Sequence, residues 1–312
     1  MKPRLQFHYT AVGHVTVDVL EDGTRQAGGS ALYSALQAAR LGLRALVLTR
    51  GVPHEIETLL APYQHELELH VQRAPHTTTL LTSGAGELRS QRLLAWAGVI
   101  EPRPAPPSAI LHLAPVAREL PRSWPARAQL LALTPQGLAR HWAQPPSRFA
   151  AHAHRARAGG APVEHRPPGP AGVELAGRCH AMVLSQHERA CCSELVGAAL
   201  RARAVVAVTH GAQPTEVLHG PPPRRGELEQ VAPLRRVVED LGAGDVFAAA
   251  FFIALHRGQP PRRAARFANA AAAVRMSARG PGAVGRAHEL ERRLRAAAAE
   301  RCPRAPGAPL GR

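Results

Sequence analysis

Lysine is almost missing from this chain: Lys2 is the only one among 312 residues. A phosphate loop of the Walker type ends in a lysine that reaches the β- and γ-phosphates, so that motif is excluded. Aromatic residues are scarce at 4%, and the formal charge of +16 is carried by arginines scattered among alanine, proline and glycine. The densest runs, Arg224-Arg225, Arg235-Arg236 and Arg262-Arg263, have no aromatic ring beside them, whereas single-strand binding surfaces interleave charge with stacking side chains. The charge reads as solvated arginine faces, and no nucleic-acid partner is expected. Cysteines are few, with Cys191-Cys192 adjacent and Cys179 and Cys302 distant. That leaves neither a C-x-x-C pair nor a disulfide framework and suits a reducing compartment. No apolar run approaches the roughly 18 residues of a membrane span, and the N-terminus lacks a signal peptide's apolar core. A soluble, cytoplasmic protein without a membrane partner is expected.

Other common site motifs are missing too. Four His-Glu pairs, at His54, His65, His187 and His288, have no second histidine three residues after the glutamate, so no zinc-protease helix forms. No G-x-S-x-G elbow exists for a serine hydrolase. Gly280-Pro281-Gly282-Ala283-Val284-Gly285 has the G-x-G-x-x-G spacing. It follows a helical stretch, whereas a dinucleotide fingerprint needs a preceding strand, so it reads as a helix stop.

What the chain does contain is 45% hydrophobic residue, enough for a sizeable core. Short apolar runs alternate with longer alanine- and leucine-rich stretches, the pattern of strand-helix units around a mostly parallel sheet. Strands are expected at 7–12, 45–48, 109–113, 130–133, 181–184 and 205–209. Helices are expected at 30–41, 188–201, 245–256, 261–278 and 286–300. The helix over 245–256 is apolar on nearly every face, which predicts burial. Residues 144–177, dense in proline, glycine, arginine and histidine, read as a long irregular loop. One domain over 1–302 with a frayed tail over 303–312 follows.

The segment Val238-Glu239-Asp240-Leu241-Gly242-Ala243-Gly244-Asp245 leads into that apolar helix. Small residues at a helix start let backbone N–H groups face an anion, with the helix dipole adding partial positive charge. A carboxylate at the same place is positioned to take a proton from an attacking hydroxyl. On the residues alone two readings stay open, this anion site with its base and an ordinary helix cap.

Gly-Ala-Gly-Asp before an apolar helix resembles the second signature of the ribokinase-like carbohydrate kinases, the phosphofructokinase-B (pfkB) family. Further segments fall in that family's order. Val12-Gly13-His14-Val15-Thr16-Val17-Asp18 resembles its first strand, which implies Asp18 as a ligand of the acceptor. Gly28-Gly29-Ser30-Ala31-Leu32-Tyr33 resembles the first signature, which places Gly28, Gly29 and Tyr33 in the acceptor site. Ser185-Gln186-His187-Glu188 stands where the family has an Asn-x-x-Glu element, implying that Glu188 positions metal-bound water. Val208-Thr209-His210-Gly211-Ala212 and Asn269 match nucleotide-contacting positions, implying Thr209, Gly211 and Asn269 as donor contacts. Leu111 to Val116 and Leu133 to Gly137 look similar to a subgroup that includes myo-inositol kinases.

The resemblance implies a three-layer α/β/α sandwich with a β lid, and ATP-dependent phosphotransfer to a sugar or polyol with Mg²⁺. It implies Asp245 as base and the Gly242-Ala243-Gly244 backbone as anion hole, and leaves room for a monovalent cation and for either a monomer or a homodimer. A nucleoside kinase, or a non-catalytic nucleotide and polyol sensor on the same fold, are the alternatives. Several positions depart from the family pattern. Tyr33 stands in place of an asparagine, Ser185 in place of another, and Glu239, Asp240 and Leu241 replace the residues usual before the Gly-Ala-Gly-Asp segment, which bears on monovalent-cation binding. Only nine residues separate Asp18 from Gly28, so the lid is expected to be a short hairpin at 14–27, supplemented by 77–95.

Overall fold

The computed structural model describes residues 6–103, 105–121, 124–125, 128–143, 160–220, 227–229 and 236–301. Sixteen strands occur among them: β1 (Phe7–Val12), β2 (Thr16–Val19), β3 (Arg25–Gly28), β4 (Ala45–Gly51), β5 (Glu68–Arg73), β6 (Thr79–Ser83), β7 (Ser90–Ala95), β8 (Ser108–Leu113), β9 (Ala128–Leu133), β10 (Arg140–His141), β11 (Ala161–Pro162), β12 (Glu164–His165), β13 (Ala181–Ser185), β14 (Val205–His210), β15 (Gln213–Leu218) and β16 (Glu227–Glu229). The α-helices are α1 (Ser30–Arg40), α2 (Pro53–Leu60), α3 (Gln136–Ala139), α4 (Pro170–Ala176), α5 (Gln186–Cys191), α6 (Ser193–Arg201), α7 (Ala243–His256), α8 (Pro261–Arg275) and α9 (Ala287–Arg301).

Nine strands form the central sheet in the order β16-β15-β14-β13-β9-β8-β1-β4-β5. Its neighbours pair in parallel from β14 to β5, and β15 and β16 add an antiparallel edge. The central strands are rich in apolar residues, with isolated polar positions such as Gln129 and His112, because both faces of the sheet are covered. In β13, Ala181 and Val183 pack into a core shared with α1, α7 and α8, while Met182 and Leu184 pack into the opposite core with α4 and α6. The same alternation places Ala207 on one side and Val206 and Val208 on the other. Helix α7 carries Phe247, Phe251 and Phe252, all essentially inaccessible, as its apolar circumference predicts.

A second sheet covers one end of the first, in the order β11-β7-β6-β2-β3. The expected hairpin is β2 and β3, paired through Asp18 and Gln26, and the 77–95 segment supplies β6 and β7. The fifth strand, β11, comes from the segment read as irregular. That reading is corrected for 160–177, which holds β11, β12 paired with β10, and α4. Two-residue strands have no periodicity to detect, because long-range pairing alone defines them. Residues 144–159 and 302–312, where the rest of the loop and the tail were expected, lie outside the described residues. The helix expected over 188–201 is divided at Cys192, where φ −102° and ψ +18° leave helical geometry. Among the described residues no helix is long and apolar enough to cross a membrane.

Candidate active site

Ligands of open α/β sheets bind in the crevice beyond the carboxyl ends of the parallel strands. Here that crevice lies under the second sheet and holds two adjoining cavities. One, of about 420 Å³, is lined by Asp18, Gly29, Tyr33, Arg140, Glu188 and Asp245 among others. The other, of about 310 Å³, is lined by Ser185, Thr209, Gly211, Gly244 and again Glu188 and Asp245. Gly242, Glu188 and Asp245 border both. Asp18, Gly29 and Tyr33, expected for the acceptor, line the first cavity, Thr209 and Gly211, expected for the donor, line the second, Gly28 lines neither, and the proposed base stands where the two cavities meet.

The turn into α7 is built around Gly242, whose φ of +74° is left-handed. A Cβ there would also sit 2.5 Å from the ring of Tyr33, so glycine is required twice over. The Ala243 N–H is occupied by the Asp240 carbonyl at 3.2 Å. The N–H groups of Gly244 and Asp245 belong to the first turn of α7, where no intrahelical acceptor exists. The donors available to an anion are thus Gly244 and Asp245 more than Ala243.

Burial pushes the Asp245 carboxyl up to about 6, and the nearby Glu188 and Asp18 charges act in the same direction. Ser30 and Arg140 oppose that shift; the Ser30 hydroxyl is buried without a hydrogen-bond partner of regular geometry. Asp18 is likewise raised to about 6 by burial, eased by Thr16, whose Oγ1 donates to Asp18 Oδ1 at 2.7 Å. Gly28 abuts this carboxylate so closely that a Cβ would lie 2.1 Å from Asp18 Oδ2.

Glu188 closes a capping box at the start of α5. Its Oε2 accepts from the Ser185 N–H at 2.7 Å and the Ser185 hydroxyl at 2.9 Å. Ser185 in turn caps the Glu188 N–H. The helix-start role and the cavity-facing role of Glu188 coexist. Among the described residues no group of three or more histidine, cysteine or acidic side chains is gathered for a metal. Glu188, a carboxylate bordering both cavities beside Asp245, suits Mg²⁺, which keeps several waters and binds through one or two carboxylates plus substrate phosphates. A monovalent cation fits poorly at Glu239, because among the described residues every hydrogen bond to its carboxylate comes from an N–H donor: Gln26 Nε2 and Arg275 Nη2, each at 3.1 Å, and the Gly280 amide at 2.8 Å.

Asn269 lines neither cavity. It is buried in α8, where its Oδ1 accepts from Thr215 Oγ1 at 3.0 Å. Sequence reasoning did not reach Arg140, which is buried in the wall of the larger cavity. Its Nη1 donates to the Val116 carbonyl at 2.7 Å and its Nη2 to Gln91 Oε1 at 2.5 Å, while Nε has no partner. It joins the second sheet to the main body and places a cation near both aspartates. Nothing in the local sequence distinguishes it from the exposed arginines. Also missed was the function of Asp240, which binds the second sheet through the Gly86 amide at 2.9 Å and an ion pair with Arg89.

This arrangement, with an order β5-β4-β1-β8-β9-β13-β14 of parallel strands, a five-stranded cover and a glycine turn before a buried helix, invites comparison with known proteins. A pyrophosphate-dependent kinase in the ribokinase family, solved with a pyrophosphate analog and myo-inositol, superposes with a TM-score of 0.67 at 20% identity, covering 91% of this chain and 99% of its own. The fold is ribokinase-like. The Methanocaldococcus jannaschii nucleoside kinase, an archaeal ribokinase-family member, matches with a TM-score of 0.66 at 15% identity over 93% and 98% of the two chains. Arabidopsis thaliana ribokinase, complexed with ribose and ATP, matches with 0.63 at 16% identity over 92% and 98%. Residues 174–286, which contain Glu188, Gly211 and the Gly242–Asp245 turn, match the sequence model of the pfkB family carbohydrate kinases. No curated protein sequence matches significantly. The resemblance drawn from the sequence thus holds in fold along the chain and in sequence over its C-terminal part, and these structural neighbours are kinases.

Proposed function

We propose that this protein transfers the γ-phosphoryl group of ATP to a hydroxyl of a sugar or polyol. The observation that carries the reading is the place of Asp245, at the junction of two cavities and in the first turn of α7. The acceptor occupies the larger cavity, with Asp18 accepting hydrogen bonds from its hydroxyls and Arg140 donating to its oxygens. As the acceptor oxygen forms its bond to phosphorus, its proton passes to the Asp245 carboxylate and the bond to ADP breaks. A carboxylate raised to about 6 is ionised at neutral pH yet more basic than an ordinary aspartate, which suits a general base. Charge developing on the phosphoryl oxygens faces the Gly244 and Asp245 N–H groups and the positive end of α7. Glu188 would help hold Mg²⁺, which would supply neutralisation of the phosphate charge when bound. Thr209 and Gly211 border the donor.

A second reading of the donor, inorganic pyrophosphate, is favoured by one observation. Among the described residues the smaller cavity is lined mainly by polar side chains and by no phenylalanine, tyrosine or tryptophan, its only rings being the imidazoles of His187 and His210, and Asn269, one of the positions matched to the nucleotide, is buried elsewhere.

A screen for donor consumption over sugars, polyols and nucleosides, run with ATP and with pyrophosphate, tests both readings. Turnover that depends on the acceptor and disappears in Asp245→Asn is expected. Nucleotide and polyol binding by calorimetry with no turnover from either donor would make the protein a sensor instead.

A further inference from the structure

Three features left unexplained by phosphotransfer meet at one point. Tyr33 and Glu239 are departures from the family pattern, and Arg275 is a fully inaccessible arginine at the end of α8. The structure brings them together across more than two hundred residues of sequence. Arg275 Nη2 donates to Glu239 Oε1 at 3.1 Å and to Tyr33 Oη at 3.4 Å, and Nη1 donates to the Ala278 carbonyl at 2.9 Å. The guanidinium carbon lies 5.2 Å from the centroid of the Tyr33 ring, over its face. The same ring is pressed against Gly242 so closely that no Cβ fits between them. Glu239 Oε2 accepts from Gly280, fixing the turn after α8 to the segment before α7. A buried guanidinium is retained only where its charge is compensated, and here both a carboxylate and an aromatic face compensate it.

We propose that Arg275 is a built-in cation for the 239–242 turn, doing what a bound monovalent cation would otherwise do there, so that the protein needs no K⁺ or Na⁺ at this place. The positive charge neutralises Glu239 and steadies Tyr33, and Tyr33 sets the left-handed turn at Gly242 that aims the first N–H groups of α7. Arg275 touches neither cavity and is a positioning residue. Carboxylate oxygens surrounded by N–H donors leave no oxygen cage for a metal ion. The functional half of the inference rests on reading that turn as the anion site, whereas the binding half concerns the folded protein alone.

The test uses the full chain in KCl, NaCl and tetramethylammonium chloride at equal ionic strength, read by thermal unfolding and, where an acceptor is known, by turnover. The wild type is expected to unfold at one temperature in all three salts and to turn over at one rate. Stabilisation or activation of the wild type by K⁺ or Na⁺ over tetramethylammonium overturns the proposal without touching the phosphotransfer reading. Arg275→Met leaves the Glu239 carboxylate uncompensated and is expected to gain a K⁺- or Na⁺-specific rise in stability and turnover. In turnover that rise should be roughly tenfold, inside the range typical of coupling between sites. A folded Arg275→Met as indifferent to the cation as the wild type makes Arg275 a packing residue and also overturns the proposal. Should that variant not fold, Arg275→Lys, which keeps a charge but loses the planar fork, is expected to fold and remain salt-indifferent; cation dependence in it sinks the idea. If no donor and acceptor pair is ever turned over, the unfolding series still decides the binding half.

Discussion

Replacing Asp245 by asparagine should damage activity and improve stability in the same molecule. The carboxyl sits in a cavity where burial and two neighbouring carboxylates raise it from 3.8 to about 6. A group raised in the folded state binds its proton more tightly there than in the unfolded chain. The stability it contributes is therefore full below about pH 4 and is lost as pH rises through about 6. At about 1.4 kcal/mol per unit, the ionised carboxylate costs the folded state at most about 3 kcal/mol at neutral pH. Favourable interaction of a charge with the first turn of α7, about 0.3 to 1 kcal/mol, is lost in the variant and offsets part of the gain. A net stabilisation of at most about 2 to 3 kcal/mol remains, and for a chain of 312 residues each kcal/mol is worth about 1.5 °C in unfolding temperature. Loss of the base should lower kcat by about 10² to 10⁴. The assay is thermal or urea unfolding of the wild type and Asp245→Asn between pH 4 and 8, beside turnover of the same samples. The variant's advantage should be absent near pH 4, grow through pH 6 and stay level above it. An advantage that is independent of pH, or a variant less stable at pH 8, would refute the account of a strained, buried base.

Other outcomes follow from the same geometry. The ratio kcat/KM should rise with pH through about 6 as Asp245 ionises, and a rate that is flat from pH 5 to 8 would speak against it. Arg140→Met removes a cation near both aspartates, so the acceptor KM should rise at least about tenfold, a loss of about 1.4 kcal/mol, and the acidic limb of the pH profile should move to higher pH. Gly242→Ala meets both the left-handed φ and the Tyr33 ring. It should destabilise by about 1 to 3 kcal/mol and depress kcat more than it raises KM, which unfolding and steady-state kinetics would show. Glu119, fully buried, accepts from the amides of His14 at 2.8 Å, Val116 at 2.7 Å and Ala117 at 2.6 Å. Glu119→Ala orphans all three donors and should destabilise by about 3 kcal/mol or more, with unchanged stability as the contrary result.

The central strands were legible because their surroundings are uniform. Ala181–Leu184 is buried throughout and packs into a core on each face of the sheet, so a short apolar run is all that a strand requires there. Asp245 was legible because glycine, small residue and carboxylate converge within four positions ahead of an unmistakably buried helix. What escaped depends on partners remote in the chain. The strand at Ala161–Pro162 exists because Leu93 and Arg92 pair with it, and its own two residues carry no signal. Arg140 and Arg275 are two arginines among many, set apart only by where the fold takes them. In the sequence Tyr33 and Glu239 are separate departures from a pattern, yet in the structure both touch Arg275 and belong to one contact. Glu188 shows how two sequence readings can both hold, since one carboxylate oxygen caps its helix while the residue borders both cavities.

The central claim is transfer of a phosphoryl group to an alcohol, and phosphorus NMR of the reaction mixture tests it most directly. With Mg²⁺, a panel of sugars, polyols and nucleosides, and either ATP or pyrophosphate, the account predicts a new phosphate monoester resonance whose appearance requires both the acceptor and Asp245. Consumption of neither donor across the panel, with both ligands demonstrably bound, would contradict it.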